Sequence, residues 1–186
     1  MKKVDLKKES KELQEVLANI PDSFFESIEK AAVLLDQTYS SGGKVLICGN
    51  GGSAAEAQHF SDEMLGRYKK NRPSLPVVSL TADSAALTCI GNDFGFEELF
   101  ARQVQGLGKT GDLLIGISTS GNSKNVLRAV EEARKKGMKV IALTAPQGTL
   151  RTVVDISIES PSLVTARIQE LHLHVVHLLS EFFEAE

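Results

Sequence analysis

Residues 113–123 read Leu113-Leu114-Ile115-Gly116-Ile117-Ser118-Thr119-Ser120-Gly121-Asn122-Ser123. The apolar run is a strand signal, and a helical pattern from Lys124 to Lys136 follows the loop at once. That order sets small hydroxyl side chains and free backbone amides at a helix N-terminus, where unpaired N–H groups and partial positive charge favour an anion. No lysine lies inside the loop, which separates it from the lysine-containing nucleotide loop. A helix cap from Ser123 or Asn122 is the plainer role, but a cap needs one such residue. Here six positions, 118–123, carry five hydroxyl or amide side chains. The loop therefore reads as a phosphate or phosphosugar site.

Outward from this loop the chain alternates between helix and strand. Residues 5–20 and 22–40 read as two amphipathic helices, parted at Pro21-Asp22-Ser23 and stopped by Ser41-Gly42-Gly43. Strands are expected at 44–48, 76–80, 111–117, 139–144 and 153–158. Helices are expected at 53–66, 83–91, 96–105, 123–136 and 162–185. The strands are too apolar for one wet face, so a parallel sheet covered on both sides follows. The fold class is α/β: a three-layer α-β-α sandwich, flavodoxin-like, with N-terminal helices added. Ligands in such sheets sit beyond strand carboxyl ends, and loops 49–52 and 118–123 both follow such ends. The helices of residues 1–42 either cover their own sheet or pack on another subunit.

The 186 residues fit a single domain, 1–186. A net charge of −3 offers no nucleic-acid surface, so an anionic substrate has to be held by local donors. Cys48 and Cys89 form no metal pair and read as buried free thiols of a reducing cytoplasm. The charged N-terminus is no signal peptide, and no apolar stretch approaches the ~20 residues of a membrane helix.

Gly49-Asn50-Gly51-Gly52-Ser53-Ala54 fits the loose dinucleotide pattern G-x-G-x-x-A. The acid that pattern requires, roughly 20 residues on, is missing; the nearest candidate, Asp83, lies about thirty residues downstream. Close backbone approach to a polyol, with Asn50 and Ser53 as hydrogen-bonding groups, suits the loop better. His59 and Glu63 share one helical face and form either a surface pair or two ligands of a divalent ion. The last helix carries Gln169, His172, His174 and His177. Gln169 and His177 lie about 12 Å apart along its axis, so both reach one ion only if their side chains converge. Asn92-Asp93-Phe94-Gly95 reads equally as a turn or as polar groups beside a sugar hydroxyl.

Together these segments resemble the sedoheptulose 7-phosphate isomerase branch of the sugar-isomerase (SIS) domain family. The carrying stretches are Cys48–Ala55, Gln58-His59-Phe60, Gly66-Arg67-Tyr68, Gly91–Phe96, Gly116–Ser123 and Thr165–Glu170. The resemblance covers nearly the whole chain. It departs at Ala166, where some members have an acid, and at Ala145–Thr149, which is poorer in glycine than in many relatives.

The resemblance implies the conversion of sedoheptulose 7-phosphate to D-glycero-D-manno-heptose 7-phosphate through an enediolate. It implies phosphate binding by Ser118, Thr119, Ser120 and Ser123. Asn50, Gly51, Gly52, Ser53, Asn92, Asp93, Glu63 and Gln169 become further substrate contacts. Zinc is implied at His59, Glu63, Gln169 and His177, and acid–base chemistry at Glu63 and His177. Also implied are a homotetramer with sites between subunits, so that His59 and Glu63 reach the last helix from a neighbouring chain. The alternatives are a non-catalytic relative that binds the replication initiator and a sugar-phosphate sensor. His177 disfavours the first, which has asparagine at that position, because an amide cannot do imidazole's proton work.

Overall fold

The computed structural model describes residues 4–184. Residues 1–3 and 185–186, including the last residue of the helix expected at 162–185, lie outside that range. Among the described residues the strands are β1 (Val45–Cys48), β2 (Val77–Ser79), β3 (Leu113–Ser118), β4 (Lys139–Thr144) and β5 (Ile156–Glu159). All pair in parallel, in the order β2-β1-β3-β4-β5. β1 and β3 are buried along their whole length, as strands covered on both faces must be.

Among the described residues the α-helices are α1 (Leu6–Ala18), α2 (Asp22–Ser40), α3 (Gly52–Leu65), α4 (Ser84–Phe94), α5 (Ala101–Leu107), α6 (Lys124–Lys135) and α7 (Thr165–Glu181). Alternation along the strands divides the core in two. Val45, Ile47, Leu113, Ile115, Ile117, Ile141 and Leu143 face Phe24, Leu35, Phe60, Val175 and Leu179 of α2, α3 and α7. Leu46, Cys48, Leu114, Val140 and Ala142 face Val104, Val126, Ala129 and Ala133 of α5 and α6. The expected three-layer α/β sandwich is thus what forms.

The two N-terminal helices behave differently. α2 buries Phe24, Ile28, Ala31, Ala32 and Leu35 beneath its own sheet. α1 buries no residue, although Asp5 caps it by accepting from the amides of Lys7 and Lys8. Its tie to the body is Arg167, which donates to the Glu9 carbonyl at 3.1 Å.

Four expectations change. The helix expected at 96–105 is instead a 3-10 turn at Phe96–Glu98 followed by α5. Asn92 and Asp93 are not in a turn; they complete α4, and the break falls at Gly95. Cys89 is exposed rather than buried, because it lies on the wet side of a helix with no buried residue. The last strand starts at Ile156, after a 3-10 turn at Leu150–Thr152.

Candidate active site

The sheet order reverses between β1 and β3, and both ligand-type loops leave from that switch point, where open α/β sheets bind ligands. After β3, Ser123 occupies the N-cap position of α6 but its side chain caps nothing. Its hydroxyl instead meets Ser118 Oγ at 2.9 Å, and Ser118 Oγ lies 3.4 Å from Ser120 Oγ. The first amides of α6 are left without a side-chain cap, as an anion requires. Lys124 turns away to Glu97 at 2.9 Å, so the cradle consists of neutral donors.

The loop rests on residues 147–150. Thr149 N donates to Asn122 Oδ1 at 3.0 Å and Leu150 N to the Gly121 carbonyl at 2.8 Å. Gly121 and Gly148 cross backbone to backbone: a Cβ on Gly121 would meet the Gln147 carbonyl at 2.3 Å. From below, Thr144 Oγ1 donates to the Ser118 carbonyl at 3.0 Å.

After β1, Gly51 is the N-cap of α3 and likewise supplies no side-chain cap. Gly52 lies against Gln169 of α7, so closely that a Cβ would fall 2.1 Å from Nε2. Ser53 is buried. Asn50 pairs its amide with that of Asn125 on α6. Asp83, the acid considered for a dinucleotide ribose, accepts from Ala86 N and caps α4.

From Gly52 onward α3 and α7 run side by side in the same direction. Glu56 Oε2 lies 3.7 Å from the fully buried His172 Nδ1, one level along. Further on, His59, Glu63 and His177 offer three ligand atoms all within 4.8 Å of one another. His59 Nε2 is 2.9 Å from His177 Nε2 and 3.3 Å from Glu63 Oε1, and His177 Nε2 is 4.0 Å from Glu63 Oε1. One chain therefore assembles this group, with no neighbour needed to bring α3 to α7. Neighbouring His174 is held below its usual pKa by burial first and by His177 second.

Groups given no site role from the sequence support the triad. Asp62 Oδ1 lies 3.4 Å from His59 Nδ1, on the ring edge away from the triad. The Tyr68 ring tilts over His177, with centroids 5.5 Å apart. Arg72 donates to the carbonyls of Glu63 at 2.7 Å and Met64 at 2.9 Å, closing the last turn of α3. The three-residue spacing to His59 was a readable signal for Asp62; Asn125 and Arg72 gave none, because their partners are set by the fold.

Distance divides the predicted residues. Gln169 sits with Gly52, eight residues and about 12 Å before His177 along α7. Glu63 is eleven residues and about 16 Å along α3 from Gly52. Asn92 and Asp93 are exposed; Asn92 Nδ2 donates to Asp93 Oδ1 at 2.7 Å and Cys89 Sγ lies 3.7 Å from Asp93.

A switch-point cradle of serines on a flavodoxin-like sheet defines a sugar-phosphate class of protein. The chain belongs to the SIS domain family, whose pattern matches residues 10–145, and within it to the branch of the phosphoheptose isomerases. The phosphoheptose isomerase of Escherichia fergusonii is 47% identical over 185 residues, covering 97% of this chain and 96% of its own. The solved phosphoheptose isomerase of Neisseria gonorrhoeae matches with a TM-score of 0.89 and 42% identity over 95% of each chain. That of Francisella tularensis matches at 0.85 and 42%, over 94% of this chain and 92% of its own.

Proposed function

We propose that the chain isomerises sedoheptulose 7-phosphate to D-glycero-D-manno-heptose 7-phosphate, the first step of ADP-heptose synthesis. The carrying observation is the carboxylate–imidazole couple, Glu63 Oε1 at 4.0 Å from His177 Nε2, in a chain whose full-length relatives are phosphoheptose isomerases. In this reading Ser118, Thr119, Ser120, Ser123 and the first amides of α6 hold the phosphate. Asn50, Gly51, Gly52, Ser53, Gln169, Asn92 and Asp93 contact the sugar. Phosphate binding supplies remote binding energy that orients the reacting end.

Glu63 removes the proton from the carbon beside the carbonyl and returns it to the neighbouring carbon; His177 moves the hydroxyl proton. The donor set also fits zinc. Ligand atoms around a tetrahedral zinc with bonds of ~2.0–2.1 Å sit about 3.3 Å apart. The three separations here, 2.9, 3.3 and 4.0 Å, bracket that spacing. His59, Glu63 and His177 would hold the ion, and Gln169, the fourth ligand implied by the resemblance, would come from another copy, since in its own chain it lies about 12 Å along α7 from His177. When bound, zinc supplies Lewis-acid polarisation and stabilises enediolate charge.

Within one chain the serine cradle and the triad stand at opposite ends of the α3–α7 pair. A homotetramer that sets the triad of one copy beside the loops of another resolves this, and it gives α1 a surface to cover. A cytoplasmic setting belongs to the same reading, since free thiols suit a reducing compartment.

The test is Glu63→Gln. Formation of heptose 7-phosphate should fall at least about 100-fold, the lower range for a lost acid–base group, while phosphosugar binding persists. An active Glu63→Gln protein refutes the assignment. A wild type that binds but never turns over favours the sensor or the initiator-binding factor.

A further inference from the structure

We propose that Asn125 is a positioning residue that holds Asn50, and with it the loop after β1, at a fixed distance from the phosphate cradle. The proposal rests on the isomerase reading, in which Asn50 contacts the sugar. Asn125 stands in the first turn of α6 and is 2% exposed. Its Nδ2 donates to Asn50 Oδ1 at 2.8 Å, and Asn50 Nδ2 donates back to Asn125 Oδ1 at 2.9 Å. The two residues are 75 positions apart in the chain. The closed ring therefore joins the loop after β1 to the helix whose N-terminus holds the serine cradle.

An asparagine amide has two N–H donors and an oxygen with two lone pairs. The ring uses one donor and one acceptor from each amide. Asn50 keeps one N–H and one lone pair for a ligand, in a plane that Asn125 fixes. Turning either amide alone would set N–H against N–H and oxygen against oxygen, so the two are constrained to act together. Ordering Asn50 before substrate arrives spares that cost on binding.

Four variants test this, Asn125→Leu, Asn50→Ala, their combination and Asn125→Asp, each assayed with sedoheptulose 7-phosphate and with inorganic phosphate as a competitive ligand. Asn125→Leu removes both hydrogen bonds and should lower kcat/KM about 10–100-fold, mainly through KM, the scale of one or two buried hydrogen bonds. Its affinity for inorganic phosphate should stay within about threefold of wild type, because the serine cradle itself is untouched. The double variant Asn50→Ala/Asn125→Leu should be no worse than the poorer single variant, as for residues that act as a unit.

Asn125→Asp keeps the shape if the leucine variant fails to fold. The ionised carboxylate only accepts, so it sets an oxygen against Asn50 Oδ1; the protonated acid restores a donor and an acceptor. Activity relative to wild type should therefore rise as the pH falls, a change that a purely structural role would not produce. Multiplying losses in the double variant, a flat relative pH profile, or kcat/KM within twofold of wild type for a folded Asn125→Leu would each overturn the inference. An inactive wild type would instead overturn the isomerase reading and take this inference with it.

Discussion

Replacing Asp112 by alanine should cost about 3–5 kcal/mol, because it removes a buried carboxylate that accepts three charge-assisted hydrogen bonds and takes the acceptor from two backbone amides. Asp112 lies immediately before β3, and its side chain is 0% exposed. It accepts from Lys44 N at 3.0 Å, from Lys109 N at 3.0 Å and from Lys44 Nζ. Lys44 immediately precedes β1, so one carboxylate clamps the amino ends of the two strands whose carboxyl ends carry the ligand loops. Each hydrogen bond to an ionised acceptor contributes ~1.5–3 kcal/mol, and three made by one group do not add fully.

Urea unfolding at fixed protein concentration is the assay. With a slope of about 2 kcal/mol/M, the midpoint should drop by about 1.5–2.5 M. Burial alone would raise the Asp112 pKa, but the Lys44 side chain and the Lys44 and Lys109 amides outweigh it and hold the value below the ordinary carboxylate range. A carboxyl lowered in the folded state stabilises fully above its unfolded value of ~3.9 and loses that contribution as pH falls through the folded value. The gap between wild type and Asp112→Ala should thus be flat from pH 8 to about 5 and close below about pH 4. A gap under about 1 kcal/mol at pH 7, or one that persists unchanged at pH 3, would refute the reasoning.

Three further outcomes are expected. Asp62→Asn should weaken zinc binding about 10–100-fold in chelator competition, the usual effect of losing the group that orients a histidine ligand; unchanged affinity would remove Asp62 from that role. Arg72→Ala should destabilise the protein by about 1.5–3 kcal/mol and speed amide exchange in the last turn of α3, with Arg72→Lys in between. In native protein Cys89 should react with a disulfide reagent while Cys48 stays silent until unfolding, because burial pushes the Cys48 thiol up to about 12.

The sheet was legible because its strands are short, continuously apolar runs, the signature of a sheet covered on both faces, which needs no tertiary knowledge to see. The serine cradle and the His59–Glu63 pair were legible for the same reason: each is local, within one loop or one helical turn. Asn92 and Asp93 misled because residues that favour turns also complete helices, and the chain leaves the helix only at Gly95, whose φ is positive. Cys89 misled because an apolar neighbourhood in sequence need not be one in space. The joining of His177 to His59 spans 118 positions, and that of Asn50 to Asn125 spans 75; each depends on where helices pack, which no local pattern records.

The contact between Gly52 and Gln169 limits how this chain can change. A methyl at position 52 would collide with the far end of the glutamine, not with backbone, so the fold would absorb an alanine there by swinging the amide aside. Positions 52 and 169 are thus tied in drift as well as in space: an alanine at the first needs only a turned amide, a residue larger than alanine needs a shorter partner at the second, and either change moves an amide away from the loop it touches without disturbing the sheet.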